Sequence, residues 1–193
     1  MKRLCVFCGS SHGNSPVFTA AARELGAAIA ARGIELVYGG SHVGLIGVLA
    51  DAVLEHGGKV IGVLPRFMAD KELAHPKLTQ FHVVDTMHAR KQLMAELAEG
   101  FVALPGGFGT LEEIFEAITW GQLHLHAYPC AFLNVDGYYD LLAEFLRGTV
   151  ERGFVKQGLL DSLIVARTLD ELFDGFARFR PEKSEKWFPK RMI

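Results

Sequence analysis

Cysteine, tryptophan and proline are scarce in this chain of 193 residues, which has three, two and seven of them. Three thiols are too few and too odd in number for a disulfide framework, which fits a reducing compartment and points to the cytoplasm. Cys5 and Cys8 have the spacing of a redox motif, but they lie inside a β-run and read as buried thiols. Charge of one sign is also missing: 20 basic residues face 22 acidic ones, so nucleic-acid polymers and anionic bilayers are poor partners. No run of about 18 apolar residues is present, so nothing is expected to span a membrane. The apolar run after Met1-Lys2-Arg3 is shorter than the core of a secretory signal and reads as a strand.

What is present is apolar bulk and glycine. Half of the residues are apolar, enough for one core of ordinary size, which is expected to occupy residues 1–180, with 181–193 as a surface tail. Twenty-one glycines against seven prolines suit tight turns and close backbone approach, and exclude collagen-like, mucin-like and disordered classes. Short β-branched runs at 2–8, 34–38, 60–64, 81–84, 101–104, 130–135 and 162–166 alternate with segments of helical period. The helices are expected at 16–31, 44–56, 87–99, 111–123, 138–152 and 168–179. The alternation predicts a single-domain α/β fold, a doubly wound sheet of about seven mostly parallel strands with helices on both faces. Ser15-Pro16 and Thr168 mark helix starts, and Gly33, Gly57 and Gly153 sit where helices should stop.

In such folds every β-to-α loop leaves from one edge of the sheet, where ligands bind. Three of those loops are glycine-rich: the one through Gly9 and Ser10, Tyr38-Gly39-Gly40-Ser41, and Leu104-Pro105-Gly106-Gly107-Phe108-Gly109-Thr110. Bare amides beside helix N-termini bind anions, and phosphate above all. Glycine also simply permits turns, but three such loops on one edge favour a phosphorylated small molecule. None has a Walker A lysine, none has the G-x-G-x-x-G spacing of dinucleotide folds, and no G-x-S-x-G elbow exists.

Two charged positions stand out. Arg90 falls in the middle of the apolar stripe of its helix (Met87, Leu93, Met94, Leu97), near the end where the macrodipole opposes positive charge. An anion in the crevice would compensate; an arginine snorkelling to a carboxylate is the plainer reading. Glu113 follows Thr110 at capping-box spacing, and also stands at the crevice edge beside the third glycine loop. The histidines are scattered and give no metal-ligand pattern, so no metal site is expected. Asp136-Gly137 reads first as a turn.

Pro105-Gly-Gly-Phe-Gly-Thr-Leu-Glu-Glu113, together with Met87-His-Ala-Arg-Lys91, resembles the paired signature of the LONELY GUY family, the cytokinin riboside 5′-monophosphate phosphoribohydrolases. The likeness extends through Cys8-Gly-Ser-Ser11, Tyr38-Gly-Gly40, Val60-Ile-Gly-Val-Leu-Pro65, Ile118-Thr-Trp-Gly-Gln122 and Leu133-Asn-Val-Asp-Gly-Tyr-Tyr-Asp140. The resemblance implies a Rossmann-like homodimer that needs no cofactor. It would hydrolyse the N-glycosidic bond of adenosine 5′-monophosphate or an N6-modified cytokinin analogue to free base and ribose 5-phosphate. By motif, Arg90 and Glu113 match the family's catalytic pair. Lys91, Gly106, Gly107, Phe108, Gly109, Thr110, Leu111 and Glu112 match its nucleotide contacts, and Glu72 and Thr119 further substrate contacts. Decarboxylation of lysine, a label that members often carry, finds no support in these residues. Loss of a purine leaves positive charge on the ribose, which an ionised carboxylate stabilises. A helix N-terminus and Arg90 should both pull the Glu113 pKa down, suiting a base for water. The alternative from a different class is a carrier that holds a nucleotide or another phosphorylated ligand without cutting it.

Overall fold

The computed structural model describes residues 1–71 and 73–181. In chain order the strands are β1 (Arg3–Phe7), β2 (Glu35–Tyr38), β3 (Val60–Pro65), β4 (Gln80–Val84), β5 (Phe101–Ala103), β6 (Cys130–Leu133) and β7 (Ile164–Ala166). They form one sheet in the order β4-β3-β2-β1-β5-β6-β7, and every pairing is parallel. The expected doubly wound α/β sheet is therefore present, parallel throughout. Winding runs outward from β1 in one direction and from β5 in the other, so the order reverses between these two neighbours. The ligand crevice of such folds lies there, outside the carboxyl ends of β1 and β5.

The helices are α1 (Pro16–Ala31), α2 (Gly44–Glu55), α3 (Arg66–Ala69), α4 (Met87–Leu97), α5 (Phe108–Gln122), α6 (Asp140–Glu151), α7 (Gln157–Asp161) and α8 (Leu169–Arg178). Alternate strand residues feed two cores, one on each face. Leu4, Val6, Leu36, Val102 and Leu133 pack with Leu25 and Ile29 of α1, Leu49 and Val53 of α2 and Leu172 of α8. Cys5, Phe7, Val37, Ile61, Phe101 and Phe132 pack with Met94 of α4 and Ile114 and Ala117 of α5. Cys5 and Cys8 are free and buried, as expected, and so is Cys130.

Local signals were accurate at most ends. Ser15 caps α1, Thr168 caps α8, and Gly33, Gly57 and Gly153 all close helices at positive φ. Two short helices, α3 and α7, were not expected, because one turn or so gives no periodicity to read. The larger correction is α5, which starts at Phe108 and not at Leu111, with Gly107 as N-cap. Glycine and threonine after Phe108 looked like loop, yet they form the first helical turn. No described helix is long and apolar enough to cross a membrane. The expected tail falls, after Pro181, outside the described residues.

Candidate active site

The glycine turn after β2 and the first turn of α4 meet at Arg90. Thr86 caps α4 by accepting from the Ala89 amide at 3.0 Å, which sets the phase of the helix and turns Arg90 inward. Arg90 is only 9% exposed, as its place on the apolar stripe required. Its Nε donates to the Val63 carbonyl at 3.2 Å, and its Nη1 lies 2.9 Å from Glu113 Oε1. Gly39 makes room for the guanidinium, since a Cβ there would collide with Nη2. The arginine does find a carboxylate, but in a buried pair and not by snorkelling to the surface.

Glu113 corrects two expectations. Because α5 begins at Phe108, Thr110 is the third helical residue and is buried, so no capping box forms with Glu113. Glu113 lies in the second turn, beyond the strongest reach of the helix dipole. Its side chain is 12% exposed and faces the sheet near Cys5 and Cys8, both of whose thiols it helps to push up, after burial itself. Burial drives the Glu113 carboxyl above the usual glutamate range, and the Arg90 charge offsets this only in part. The expected downward shift is therefore overturned: local neighbours favour the anion, but loss of water outweighs them. Oε1 is close to Arg90, yet the approach is not along an N–H, so this oxygen is buried without a hydrogen bond.

Lys91 and Glu112, both expected at the nucleotide, pair with each other, and Lys91 also reaches Glu116 at 3.1 Å. Burial lowers the Lys91 pKa, but hydrogen bonds and charges from Glu112 and Glu116 outweigh it and hold the ammonium above its ordinary range. Glu116 was missed by sequence reading. Its signal was the i, i+4 spacing from Glu112 on the same face of α5.

The glycine loops converge at the switch point. The Gly9 amide donates to Pro105 O at 3.1 Å, joining the loops after β1 and β5. The Leu45 amide donates to Gly9 O at 3.0 Å, and Gly44 packs directly on Ser10. Gly40 is at φ +76° and its carbonyl accepts from the His75 amide at 3.0 Å. Open space surrounds the Cβ positions of Gly107 and Gly109, and Phe108 between them is 94% exposed. Among the described residues, none of the amides from 106 to 110 donates a hydrogen bond. Leu111 packs on the core beneath α5.

Other expected positions fall elsewhere. Thr119 lies about 9 Å further along α5 than Glu113, and its hydroxyl donates to Phe115 O at 2.7 Å. It lines a largely apolar cavity of about 340 Å³ with Ile118, Tyr128 and Leu160, and the chain does not bring it to the glycine loops. Glu72 lies outside the described residues. His126 is a structural pin: its Nε2 donates to Ala117 O at 2.8 Å, its Nδ1 accepts from the Tyr128 amide at 3.2 Å, and burial lowers its pKa. Sequence reading also missed His75, whose imidazole is buried and lies 3.1 Å from Asp51 Oδ1. It holds the segment behind Gly40.

The family described as "Possible lysine decarboxylase" matches residues 46–176. A probable cytokinin riboside 5′-monophosphate phosphoribohydrolase of Oryza sativa subsp. japonica is 48% identical, over 95% of this chain and 82% of that protein. A cytokinin riboside 5′-monophosphate phosphoribohydrolase of Arabidopsis thaliana is 44% identical, over 95% of this chain and 85% of its own length. Among solved structures, the molybdenum cofactor carrier protein of Chlamydomonas reinhardtii superposes with a TM-score of 0.68 at 21% identity. That match covers 91% of this chain and 96% of the carrier, and it bears on the fold alone.

Proposed function

The chain belongs to the LONELY GUY family of cytokinin riboside 5′-monophosphate phosphoribohydrolases, and we propose that it hydrolyses adenosine 5′-monophosphate or N6-modified riboside 5′-monophosphates to free base and ribose 5-phosphate. The observation that carries this reading is the buried Arg90–Glu113 pair, placed beside a row of unused amides at the switch point. The 5′-phosphate is received by the amides of residues 106–110, where helix dipole and bare backbone act together. Ser10 and the turn at Gly39 and Gly40 border the same crevice. As the C1′–N bond breaks, its electron pair leaves with the base and positive charge spreads over the ribose. Glu113 in its ionised form stabilises that charge and takes a proton from the water that adds at C1′. Its raised pKa suits it to hold that proton and pass it to the departing base, whose nitrogen kept the bonding pair, so water's hydroxyl ends on the ribose and its proton on the base. Arg90 keeps the carboxyl in place.

Lysine decarboxylation fits this site poorly. That chemistry uses pyridoxal phosphate held as a Schiff base on a lysine, which must lose its proton. Lys91 is clamped as an ammonium by two carboxylates. We further propose that the protein works as a homodimer in the cytoplasm, a reading supported by exposed apolar side chains such as Leu141 and Phe145 on α6. Light scattering on the purified protein tests the dimer.

Replacing Glu113 by Gln tests the function. Adenine release from AMP, followed by chromatography, should fall by about 2 to 4 orders of magnitude while nucleotide binding persists. A wild-type protein that binds AMP but releases no adenine would make it a carrier.

A further inference from the structure

The turn between β6 and α6 takes no part in the chemistry above, yet two of its hydroxyls hold the glycine loop from behind. Tyr139, 2% exposed, donates to Leu104 O at 2.7 Å, and Tyr138 donates to Gly106 O at 2.6 Å. The carbonyl between them, that of Pro105, accepts from the Gly9 amide. Three successive carbonyls are thus each held by a donor. In a planar trans peptide the C=O and N–H point in opposite directions. Holding the carbonyls of Pro105 and Gly106 therefore aims the amides of Gly106 and Gly107 away from Gly9 and Tyr138. Those two amides and the first-turn amides of Phe108, Gly109 and Thr110 are donors without a partner among the described residues.

The peptide between Gly106 and Gly107 has no Cβ on either side, so local sterics do little to stop it from flipping. A flip would present a carbonyl dipole where a donor is needed. The tyrosines are well placed to prevent this, because they are themselves fixed. Asn134 Oδ1 accepts from the Tyr139 amide at 2.7 Å, while its Nδ2 donates to Asp140 Oδ1 at 2.7 Å. Arg167 donates to the same Asp140 oxygen at 2.8 Å. Asp136 and Gly137, at φ +52° and +71°, reverse the chain in the left-handed region that Asp-Gly tolerates. Tyr138 stands edge-on to Tyr139 and Phe18, with centroids at 5.0 and 5.8 Å.

We infer that Tyr138 and Tyr139 are positioning residues that lock the peptide planes of the 104–107 segment, and so set the preference of the site for 5′-phosphorylated over unphosphorylated sugars. The inference rests on reading residues 106–110 as the phosphate site. The test is calorimetric binding of ribose 5-phosphate and of adenosine to wild type and to Tyr138→Phe, with thermal melting alongside. Tyr138 is half-exposed, so loss of one hydroxyl leaves Gly106 O within reach of water and the fold intact. Affinity for ribose 5-phosphate should fall roughly tenfold, that for adenosine should stay within about twofold, and the KM for AMP should rise more than kcat falls. Equal losses for both ligands, or none for ribose 5-phosphate, would overturn the inference. Tyr139→Phe provides a second variant with the same pattern but a smaller loss, because the Leu104–Pro105 peptide that it holds carries no N–H and acts on the amides only through the segment that follows. If wild type binds ribose 5-phosphate no better than ribose, the phosphate reading itself fails, and the inference with it.

Discussion

The turn at Gly39 and Gly40 and the loop from 105 to 110 leave the same edge of the same sheet, and both are written in glycine, but the glycines do opposite work. At Gly39 the missing Cβ is filled by the Arg90 guanidinium, and the Gly40 carbonyl is occupied by His75. At Gly107 and Gly109 the missing Cβ is matched by empty space, and the amides have no partner among the described residues. One turn uses glycine to admit a side chain; the other uses it to bare the backbone. Composition cannot distinguish these uses, because both appear as the same letter after a strand.

Arg90→Gln should break the filled turn most severely. Adenine release is expected to fall roughly 10³-fold, and the acid limb of the kcat profile should move to higher pH. The sign follows from Glu113, whose pKa burial raises and Arg90 partly restores. Without the guanidinium the carboxyl takes its proton at a still higher pH, and the ionised form needed for water is lost earlier on acidification. Gly39→Ala should cost less, about 10²-fold, by pushing Arg90 off its partners with the fold retained. Circular dichroism together with the turnover assay separates the two effects. Gly107→Ala sharpens the contrast, since its φ of −91° suits alanine and nothing lies within 4 Å. Its stability should stay close to wild type, within about 0.5 kcal/mol in a urea titration. A stability loss of about 2 kcal/mol or more would show that Gly107 is packed and that the two turns do not differ.

The smallest effect is expected at the opposite edge of the sheet, where Glu35 bridges Arg3 at 2.9 Å and Lys59 at 3.5 Å. The Arg3 hydrogen bond holds the Glu35 pKa below its usual value. A lowered carboxylate pKa contributes stability that is present above the unfolded value and lost as pH falls through the folded one. Glu35→Gln should therefore cost about 0.5 kcal/mol at neutral pH, nothing well below pH ~4, and leave turnover unchanged.

Much of the fold was legible because it is repeated locally. Each strand is a short apolar run, as expected of a sheet covered on both faces, and each long helix shows period 3.6, so all seven strands and six of the helices could be placed. Arg90 was legible for the same reason: a charge in the wrong phase of a helix is visible without a structure. The start of α5 was not, since glycine and threonine carry little helical propensity and only the docking of the helix on β1 and β5 makes them helical. Thr119 lies about three turns beyond the start of α5 at the rim, a displacement that motif spacing alone does not reveal.

From the amino-acid order alone came the layered parallel architecture, the gathering of glycine loops on one edge and the misplaced arginine, because these depend on near neighbours in the chain. The burial of the Arg90–Glu113 pair, the closure of Lys91 between two carboxylates and the upward shift of the Glu113 pKa came only from the folded molecule. Ion pairing across two helices and the loss of water around a carboxyl are set by what packs against it, and those neighbours are distant in the chain.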